Sequence, residues 1–531
     1  MFFKFFFEKS VDYHLLFINL CSKQIFPYPQ TPKAMKHKLL TILLTTVCFA
    51  LHAKDVTTEI QPNTTRVLRN PLNGWVMYMG RTWDENFWTE LGYDQLSVGD
   101  SMVRVSDYAN TCYVRTSWRS LEPEEGQYVW NDPDSRISRL FRSVLDRHMK
   151  LAFRIVVDSR DQGQNTPLYV KEAGAQGFQD PNNPKIWSPY PDDSIFQQKY
   201  AKFIAALATA FNDPDKVDFI DAYGLGKWGE AHGVRYGDYS KKEEVFQWIT
   251  DVYTRTFTKI PLVINYHRLV GDTVSWASPH SRSQALLEEA IRKGYSLRHD
   301  AFGMTGYYET WEKDFARKWN YRRPIIMEGG WITGAHHRYW RDPSNRYREG
   351  HPEDVRQGEY QEAKEGHVNM MDLRVGDETR SWFGTSFHLI KQFVAEGGYR
   401  LYPSSITLPD RLSVKKTDAT LRSVWNNLGW GYCPTNIPQW NQKYKVAYAL
   451  LQGDVVRKVF VDTKSDLSTW LQGNPTTCTL PVSTEGLSKG TYQWAVALVD
   501  VTRGNTPALE MAVDEQLLQN GWLLLNKVRI K

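Results

Sequence analysis

The hydrophobic and polar positions follow two different patterns along the chain. From about residue 70 to about residue 397, short apolar runs alternate with longer amphipathic segments. In one such segment, Phe196, Tyr200, Phe203 and Leu207 recur at the spacing of a helix. This alternation is typical of a parallel sheet with helices packed on the outside.

Eight apolar runs in this part of the chain are predicted to form strands. They are Gly74–Tyr78, Cys112–Trp118, Leu151–Asp158, Phe219–Gly224, Pro261–His267, Ala301–Thr305, Pro324–Glu328 and Met371–Val375. Helices are predicted at Ser135–Arg147, Ile195–Phe211, Lys241–Phe257, Ser283–Lys293, Val355–Asn369 and Trp382–Glu396. Such an alternation predicts a (β/α)8 barrel. A doubly wound open sheet is the competing arrangement, but no glycine-rich phosphate loop follows the first strand.

The pattern changes after Gly397-Gly398. Strand-like runs follow one another with turn signals such as Gly453-Asp454 between them, and no strong helical pattern intervenes. The clearest runs are Lys445–Gln452, Val455–Val461 and Tyr492–Val499. This part predicts an antiparallel β-sandwich. The expected domains are therefore a barrel over residues 66–397 and a sandwich over residues 398–531.

The first apolar block of the chain has the form of a secretory signal. Met35-Lys36-His37-Lys38 precedes an apolar run from Leu39 to Ala50, and Ala53 supplies the small residue at the cleavage point. The run is shorter than the roughly 20 apolar residues of a membrane-spanning helix. We therefore expect residues 35–53 to be a signal peptide of a bacterial protein that is secreted or periplasmic. Residues 1–34 are predicted to be an extension read from an upstream start codon.

Charge and cysteine content exclude several classes of protein. Removal of residues 1–53 takes away six Lys and two acidic residues, so the formal net charge falls from +5 to +1. Such a balance gives no support for a nucleic-acid partner. Export would permit a disulfide between Cys433 and Cys478, while three irregularly spaced cysteines predict no metal site. No cofactor motif is present, and the oligomeric state is not predicted.

Two carboxylates stand where a barrel would place its chemistry, at the carboxyl ends of strands. Glu230 follows the fourth predicted strand beside Trp228, and Glu328 closes the seventh, near Trp331. Glycoside hydrolysis needs two carboxyl groups flanking one bond, and an adjacent Trp would form the floor of a sugar subsite. A single Glu at a strand end is more often a helix-start or ion-pair residue, but two in matching settings favour a catalytic pair.

The segment of the second strand carries a more specific motif. Residues 118–130 read W-x-x-L-E-P-x-E-G-x-Y-x-W, which resembles glycoside hydrolases of the large barrel clan that includes the family 42 β-galactosidases. In that clan the motif is structural, so Glu122, Glu124 and Glu125 are assigned a structural role. The resemblance implies that Glu230 is the acid/base and Glu328 the nucleophile of a retaining enzyme. Retention would place their carboxyl groups about 5–5.5 Å apart, and inversion about 6.5–9.5 Å.

From about residue 66 onward the chain also resembles a group of secreted bacterial proteins. Their features are Asn70-Pro71 followed by Gly74, the Trp-Gly-Glu motif at 228–230, and a C-terminal sandwich similar to domain of unknown function 4832, here marked by residues 427–432. One position departs from the barrel clan. Its catalytic members usually carry Asn before the acid/base, where the amide binds the sugar 2-hydroxyl, and this chain has Gly229 there.

The remaining candidate residues lie near the predicted mouth of the barrel. The candidates for carbohydrate binding are Trp118, Arg154, Asp158, Trp228, His232, Tyr266, His267, Tyr307 and Trp331. A polar segment over residues 334–356, rich in Arg and His, would overhang the cleft and favour an acidic sugar, or would simply be solvated. The sequence thus predicts a retaining glycosidase without cofactor. The competing hypothesis is a carbohydrate-binding protein that has lost turnover.

Overall fold

The computed structural model describes residues 54–79, 83–160, 163–270, 281–302, 308–333, 345–414 and 419–531. They belong to one compact unit that spans Ala53–Lys531. The predicted extension and signal peptide, residues 1–53, lie outside the described residues. Within the described ranges no helix has the length and apolarity needed to cross a membrane.

The strands are numbered in chain order. They are β1 (Asp55–Glu59), β2 (Gly74–Tyr78), β3 (Leu96–Val98), β4 (Ser101–Val103), β5 (Ala109–Ser117), β6 (Lys150–Val156), β7 (Gly177–Asp180), β8 (Asn183–Pro189), β9 (Val217–Asp221), β10 (Leu262–Asn265), β11 (Tyr295–His299), β12 (Ile325–Met327), β13 (Met370–Asp372), β14 (Leu401–Pro409), β15 (Arg411–Leu412), β16 (Ala419–Asn427), β17 (Tyr444–Gln452), β18 (Val455–Asp462), β19 (Thr476–Val482), β20 (Gly490–Asp500), β21 (Thr506–Leu509), β22 (Leu518–Gln519) and β23 (Trp522–Ile530).

The α-helices of the described residues are numbered in the same way. They are α1 (Phe87–Glu90), α2 (Trp118–Leu121), α3 (Arg136–Leu145), α4 (Leu168–Glu172), α5 (Ser194–Phe211), α6 (Lys242–Thr256), α7 (Ser283–Arg292), α8 (Thr310–Trp319), α9 (Pro352–Glu365), α10 (Asp377–Thr385) and α11 (Phe387–Glu396). The last predicted helix, Trp382–Glu396, is therefore two helices with a break at Ser386.

The predicted barrel is confirmed. Strands β2, β5, β6, β9, β10, β11, β12 and β13 close into a barrel, and each pairs with its neighbours in parallel. Helices α3, α5, α6, α7, α8 and α9 lie between barrel strands along the chain, as the alternating pattern predicts. The carboxyl ends of the eight strands meet at one mouth, and the active sites of such barrels lie at this end.

The sixth barrel strand was predicted wrongly. The prediction placed it at Ala301–Thr305, but β11 begins at Tyr295, directly after α7 and Gly294. The physical reason is that β11 carries Ser296 and Arg298, which are buried and break the apolar run. Residues 303–305 lie outside the described residues, so only the first two positions of the predicted strand can be placed.

The barrel interior is divided into an apolar part and a charged part. Val76, Ala152, Val263, Ile326 and Met370 are buried in one cluster that continues into the core of the C-terminal sheets. A second set of fully or nearly fully buried residues carries charge or hydroxyl groups: Tyr78, Arg154, Asp221, Arg298, Glu328, Asp372 and Arg374. Because burial of charge is costly unless it is paired, these residues are expected to form a network.

The predicted C-terminal β-sandwich is confirmed as two largely antiparallel sheets. One has the order β1-β14-β16-β19, and the other has the order β15-β23-β20-β17-β18, with β21 and β22 at its side. The short strand β1 pairs with β14, although it precedes the barrel in sequence. It was not predicted, because its alternating exposed and half-buried residues carry little apolar signal.

The C-terminal sheets pack directly against the barrel. The side-chain oxygen of Asn73 accepts a hydrogen bond from the backbone of Tyr399, and the indole of Trp430 donates to the carbonyl of Val368. These bonds join the segment after α11 to the ends of barrel strands opposite the mouth.

Tryptophan and cysteine are mainly core residues in the described ranges. Eight Trp are among the largest fully buried side chains, and Tyr239 is the only exposed large aromatic in the part of the chain that the structure describes. Cys112, Cys433 and Cys478 are buried free thiols, so the structure lacks the disulfide that the sequence permitted between the last two.

Candidate active site

Glu230 lies in a loop whose backbone is unusually constrained. The loop follows β9, and Trp228, Gly229 and Ala231 have φ values of +58°, +73° and +62°. Residues other than glycine rarely adopt a positive φ, and such a backbone conformation costs on the order of 1–3 kcal/mol. A hydrogen bond from the backbone of Lys227 to the carbonyl of His232 closes the loop. The fold therefore sets the direction of Glu230 at some conformational cost.

The carboxylate of Glu230 is buried and has its donors on one side. Nη1 of Arg154 donates to Oε1 at 2.6 Å, and Nη1 of Arg115 approaches the same oxygen at 3.3 Å. The other oxygen, Oε2, lies 3.7 Å from Nε2 of His232. Because both arginines contact Oε1, a proton on the acid form would reside on Oε2.

Glu328 follows β12 directly and is completely buried. Its Oε1 accepts hydrogen bonds from the hydroxyl of Tyr78 and, at 2.5 Å, from Nη1 of Arg374. Its Oε2 accepts from Nη2 of Arg154 at 3.0 Å and from Nε of Arg298 at 3.1 Å. Both oxygens are thus fixed by donors from four different strands or strand ends.

One guanidinium group joins the two carboxylates. Arg154, at the end of β6, donates through Nη1 to Glu230 and through Nη2 to Glu328, and its Nε is held at 2.8 Å by Asp221. Both carboxyl groups therefore contact the same guanidinium group at the barrel mouth. Their predicted separation of about 5–5.5 Å stays a prediction.

The surroundings shift the pKa values of the two carboxyl groups in opposite directions. Burial raises the pKa of Glu230 to about 8, helped by the negative charge of Asp300 and opposed by Arg154 and Arg115. Burial also acts on Glu328, but the nearby arginines, with Arg154 foremost, hold its pKa well below the usual range. One carboxyl group that keeps its proton beside one that loses it is the arrangement of an acid and a nucleophile.

The structure explains why glycine stands before Glu230. A Cβ atom at Gly229 would meet Cδ and Cγ of Arg154 at 3.2 and 3.3 Å and the Cα of Gly224 at 3.3 Å. Arg154 therefore fills the space that an Asn side chain would need. Its guanidinium, rather than an Asn amide, is the hydrogen-bond donor beside the acid.

Two stacked histidines support the loop of Glu230: His232 lies within the loop, and His267 follows β10. Nε2 of His267 lies 2.8 Å from the carbonyl oxygen of Glu230, and the His267 ring stacks on that of His232 at 4.7 Å. Burial lowers the pKa of His267 to about 4 and that of His232 well below its ordinary value. Both imidazoles are therefore neutral near pH 7, and their role here is to position the loop.

Two tryptophans predicted for sugar binding lie next to these groups. The ring of Trp228 contacts that of His232 edge-on at 5.8 Å, and Trp331 lies 4.9 Å below the guanidinium of Arg374. Both rings are only partly buried. The structure thus brings Arg154, His232, His267 and the two tryptophans together around the carboxylates.

The three other described residues that were predicted to bind carbohydrate, Trp118, Asp158 and Tyr266, lie away from the two carboxylates. Trp118 is wholly buried against Tyr200 and Phe203 of α5, and its indole donates to Glu122, so its assignment to substrate binding was wrong. The reason is that α2 begins at Trp118 and turns the ring into the core. Glu122 also accepts from the backbone of Gly126, which fits the structural role predicted for it.

Asp158 and Tyr266 are satisfied by local partners. Asp158 forms an ion pair with Arg160, and Tyr266 shares a hydrogen bond with Tyr308 at 3.1 Å. Neither contacts Glu230 or Glu328 in the described residues. Tyr307, the last predicted binding residue, lies outside the described residues.

Several site residues were missed by sequence reasoning. They are Tyr78, Arg115, Asp221, Arg298, Asp300, Asp372 and Arg374. All lie near the carboxyl end of a barrel strand, so a scan of every strand end for charged residues would have found most of them. Arg298 and Asp300 were hidden by the misplaced sixth strand.

Glu230 also belongs to a group of residues with metal-ligand chemistry. Glu230, His232 and Asp300 each offer one ligand atom, and these atoms lie within 4.8 Å of one another. However, Arg154 occupies Glu230 and Arg374 pairs with Asp300 at 2.9 Å. The adjacent guanidinium groups oppose a second cation there.

A further network braces the loop that follows Glu328. The carboxylate of Glu359 accepts a hydrogen bond from the backbone of Gly330, and that of Glu378 accepts from the backbones of Ile332 and Thr333. Arg356 joins the two carboxylates from α9, at 2.7 and 2.6 Å. The loop is therefore held from outside the barrel as well as from within.

Comparisons with known proteins find a distant likeness in solved structures. Xylanase B from Clostridium stercorarium F9 is 14% identical over 59% of this chain and 88% of its own, with a TM-score of 0.33. The exo-β-1,4-mannosidase Op5Man5 from Opitutaceae bacterium strain TAV5 is 12% identical over 63% and 62%, with a TM-score of 0.37. Endo-glycoceramidase II from Rhodococcus sp. is 14% identical over 80% and 99%, with a TM-score of 0.35.

No family model matches the chain, and no curated protein matches it. The resemblance to the family 42 clan and to domain of unknown function 4832 therefore stays a prediction. Likeness at this distance transfers no activity to this chain.

Proposed function

We propose that the protein is a glycoside hydrolase that cleaves an O-glycosidic bond of an oligo- or polysaccharide with retention of configuration. The observation that carries the proposal is the pair Glu230 and Glu328, joined by Arg154 at the barrel mouth, with their pKa values shifted in opposite directions. A retaining mechanism needs one protonated and one ionised carboxyl group beside the same bond.

Each step can be assigned to an atom. Glu230 donates its proton from Oε2 to the glycosidic oxygen while an oxygen of Glu328 attacks the anomeric carbon, and the alcohol leaves. The glycosyl ester on Glu328 is then attacked by water, whose proton passes to Glu230. This releases the free sugar and restores both carboxyl groups. Trp228 and Trp331 are proposed to stack on the sugar rings.

The stereochemistry of the first product tests this mechanism. Aryl glycosides of both anomers, followed by NMR during the first turnovers, should give a free sugar with the same anomeric configuration as the substrate. An inverted product would show that Glu328 activates water instead of attacking. Substrate turnover with neither carboxyl group required would place the chemistry elsewhere.

A second candidate is a carbohydrate-binding protein without turnover. The observation that favours it is that Glu328 is completely buried and each of its oxygens already accepts two hydrogen bonds. For Glu328 to attack a sugar, at least one of these donors must move away from the attacking oxygen. Calorimetric binding of a glycan that the protein does not hydrolyse over long incubation would support this candidate against the enzyme.

We also propose that the protein is exported, on the basis of the pattern from Lys36 to Ala53 in the sequence. N-terminal sequencing of protein from its native host should then give a mature chain that begins near Lys54. A chain that retains Met1 would contradict export by this signal.

A further inference from the structure

Four arginines surround the two carboxylates, and one of them differs in its exposure. The side chain of Arg115 is 17% exposed, whereas those of Arg154 and Arg298 are fully buried and that of Arg374 is 2% exposed. Arg115 reaches toward Glu230 from the end of β5. It is therefore the arginine of this group that solvent, and hence a ligand, can contact.

Arg115 is also the least fully paired of the four. Among the described residues its one ion-pair partner is Glu230, at 3.3 Å, and Arg154 binds the same oxygen at 2.6 Å. By contrast, Arg154 also pairs with Asp221 and Glu328. Arg115 thus shares an oxygen that is already held more closely by a neighbour.

The proposed mechanism removes the charge of that single partner. Glu230 must carry a proton when it acts as the acid, and the rise of its pKa to about 8 favours that form at neutral pH. In the protonated form, Glu230 no longer neutralises Arg115. The working enzyme would therefore have a partly exposed guanidinium group without an anionic partner in the described part of the chain.

The other charged groups at the mouth compensate for this only in part, and no other carboxylate of the described residues forms an ion pair with Arg115. With Glu230 protonated, the four arginines face Asp221, Asp300, Glu328 and Asp372, and burial raises the pKa of Asp372 to about 7. The neighbouring His232, His267 and His299 have lowered pKa values and add no negative charge. Four carboxyl groups then balance four arginines except for the fraction of Asp372 that is protonated, so the mouth carries a small net positive charge near neutral pH.

We propose that the substrate supplies the missing anion, so that the hydrolysed sugar bears an oxyanion that Arg115 binds beside Glu230. The carboxylate of a uronic acid and a sulfate ester share this chemistry, and both match the planar donor pair of a guanidinium group. The inference rests on the proposed function, since it concerns the substrate of the same site.

Aryl glycosides in three arms test the proposal: uronides, sulfated sugars and the matching neutral sugars. Wild-type protein should have a higher kcat/KM for the uronide or for the sulfated sugar than for the matching neutral sugar. Comparison of the uronide with the sulfated sugar then identifies which anion the site binds. Arg115→Met should lower kcat/KM for the anionic substrate about 10- to 100-fold, mainly through KM, because a charge-assisted hydrogen bond is lost. Arg115→Lys should recover part of this loss.

A purely electrostatic role of Arg115 would give a different result. Its removal would then raise the pKa of Glu230 and change the pH profile equally for neutral and anionic substrates. Arg147→Met is the matched control, because Arg147 is 29% exposed, pairs with Asp94 and lies outside the mouth.

The outcomes separate this inference from the proposed function. Equal or faster hydrolysis of neutral sugars by wild type, or an equal loss on both classes in Arg115→Met, would overturn the inference and leave the glycosidase intact. If no arm is hydrolysed, the proposed function fails and the inference fails with it.

Discussion

Replacement of Glu328 by Gln is expected to lower turnover on the order of 10⁴-fold or more, whatever the leaving group of the substrate. The amide keeps the shape of the side chain, but it has no charge and cannot form the glycosyl ester. Activity of Glu328→Gln and wild type on the best substrate of the panel is the measurement. Turnover within about tenfold of wild type would exclude Glu328 as nucleophile.

Because Glu328 is buried among hydrogen-bond donors, Glu328→Gln is also expected to lower the stability of the protein. An amide group would place N–H donors against the donors of Arg374 and Tyr78, or against those of Arg154 and Arg298. The cost of such an unmatched buried pair is about 1–3 kcal/mol. Thermal unfolding must therefore accompany the kinetics. Glu362→Gln is the matched control: Glu362 is nearly buried and pairs with Lys313 outside the mouth, so its loss should leave turnover unchanged.

A second variant distinguishes a lost nucleophile from a damaged site. Glu328→Ala leaves a space bordered by Arg154, Arg298 and Arg374, which is suited to a small anion. Added azide should attack the anomeric carbon of an activated aryl glycoside and release the phenol. Because this is one displacement, the glycosyl azide should have the opposite anomeric configuration. A folded variant that azide does not rescue would contradict the assignment.

The barrel was predictable because most of its strands are uniform. β2 and β10 are apolar runs, and β6 keeps apolar residues on both sides of Arg154, so these strands are visible in the pattern of the sequence. β11 failed because a strand that points Arg298 into the barrel has no such run. The buried charge of Arg298 inside the barrel is what made this strand invisible to the apolar pattern.

The candidate site was predictable only in part, for a related reason. Glu230 and Glu328 stand out because they close strands beside Gly and Trp, and the clan resemblance supplies their roles. The partners of these residues come from distant strands, so no local pattern connects Tyr78, Arg115 or Arg374 to them. Only the closed barrel shows that one guanidinium spans both carboxylates.

The same structural detail changes the meaning of the departure at residue 229. From the sequence, the absence of Asn before Glu230 weakened the case for catalysis. In the structure, Arg154 takes up the space and provides the donor. Glycine at this position is therefore explained by its packing against Arg154. Because the donors of Arg154 are engaged by Asp221, Glu230 and Glu328, the arginine replaces Asn as a partner of Glu230 but not as a donor to a sugar 2-hydroxyl.

Glu230→Gln should give a loss that depends on the leaving group. For natural glycosides the variant should lose about 10²- to 10⁴-fold in kcat/KM, because the alcohol leaves only if it is protonated. For nitrophenyl glycosides the first step should be nearly unchanged, since a nitrophenolate leaves without a proton. A burst of nitrophenol followed by slow steady turnover would result, because Glu230 no longer assists the water that cleaves the ester.

The pH dependence provides the control within the same experiment. In wild type the acid form of Glu230 is the active one, and its pKa is raised to about 8, so kcat/KM for a natural glycoside should fall as the pH rises through about 8. On the acidic side, activity should persist far below neutrality, because the arginines hold the pKa of Glu328 low. Glu230→Gln should abolish the basic limb and leave the acidic limb. A basic limb that survives in the variant, or equal losses for natural and nitrophenyl substrates, would assign the proton to another residue, and Asp300 would be the first to examine because it acts on Glu230 through its charge.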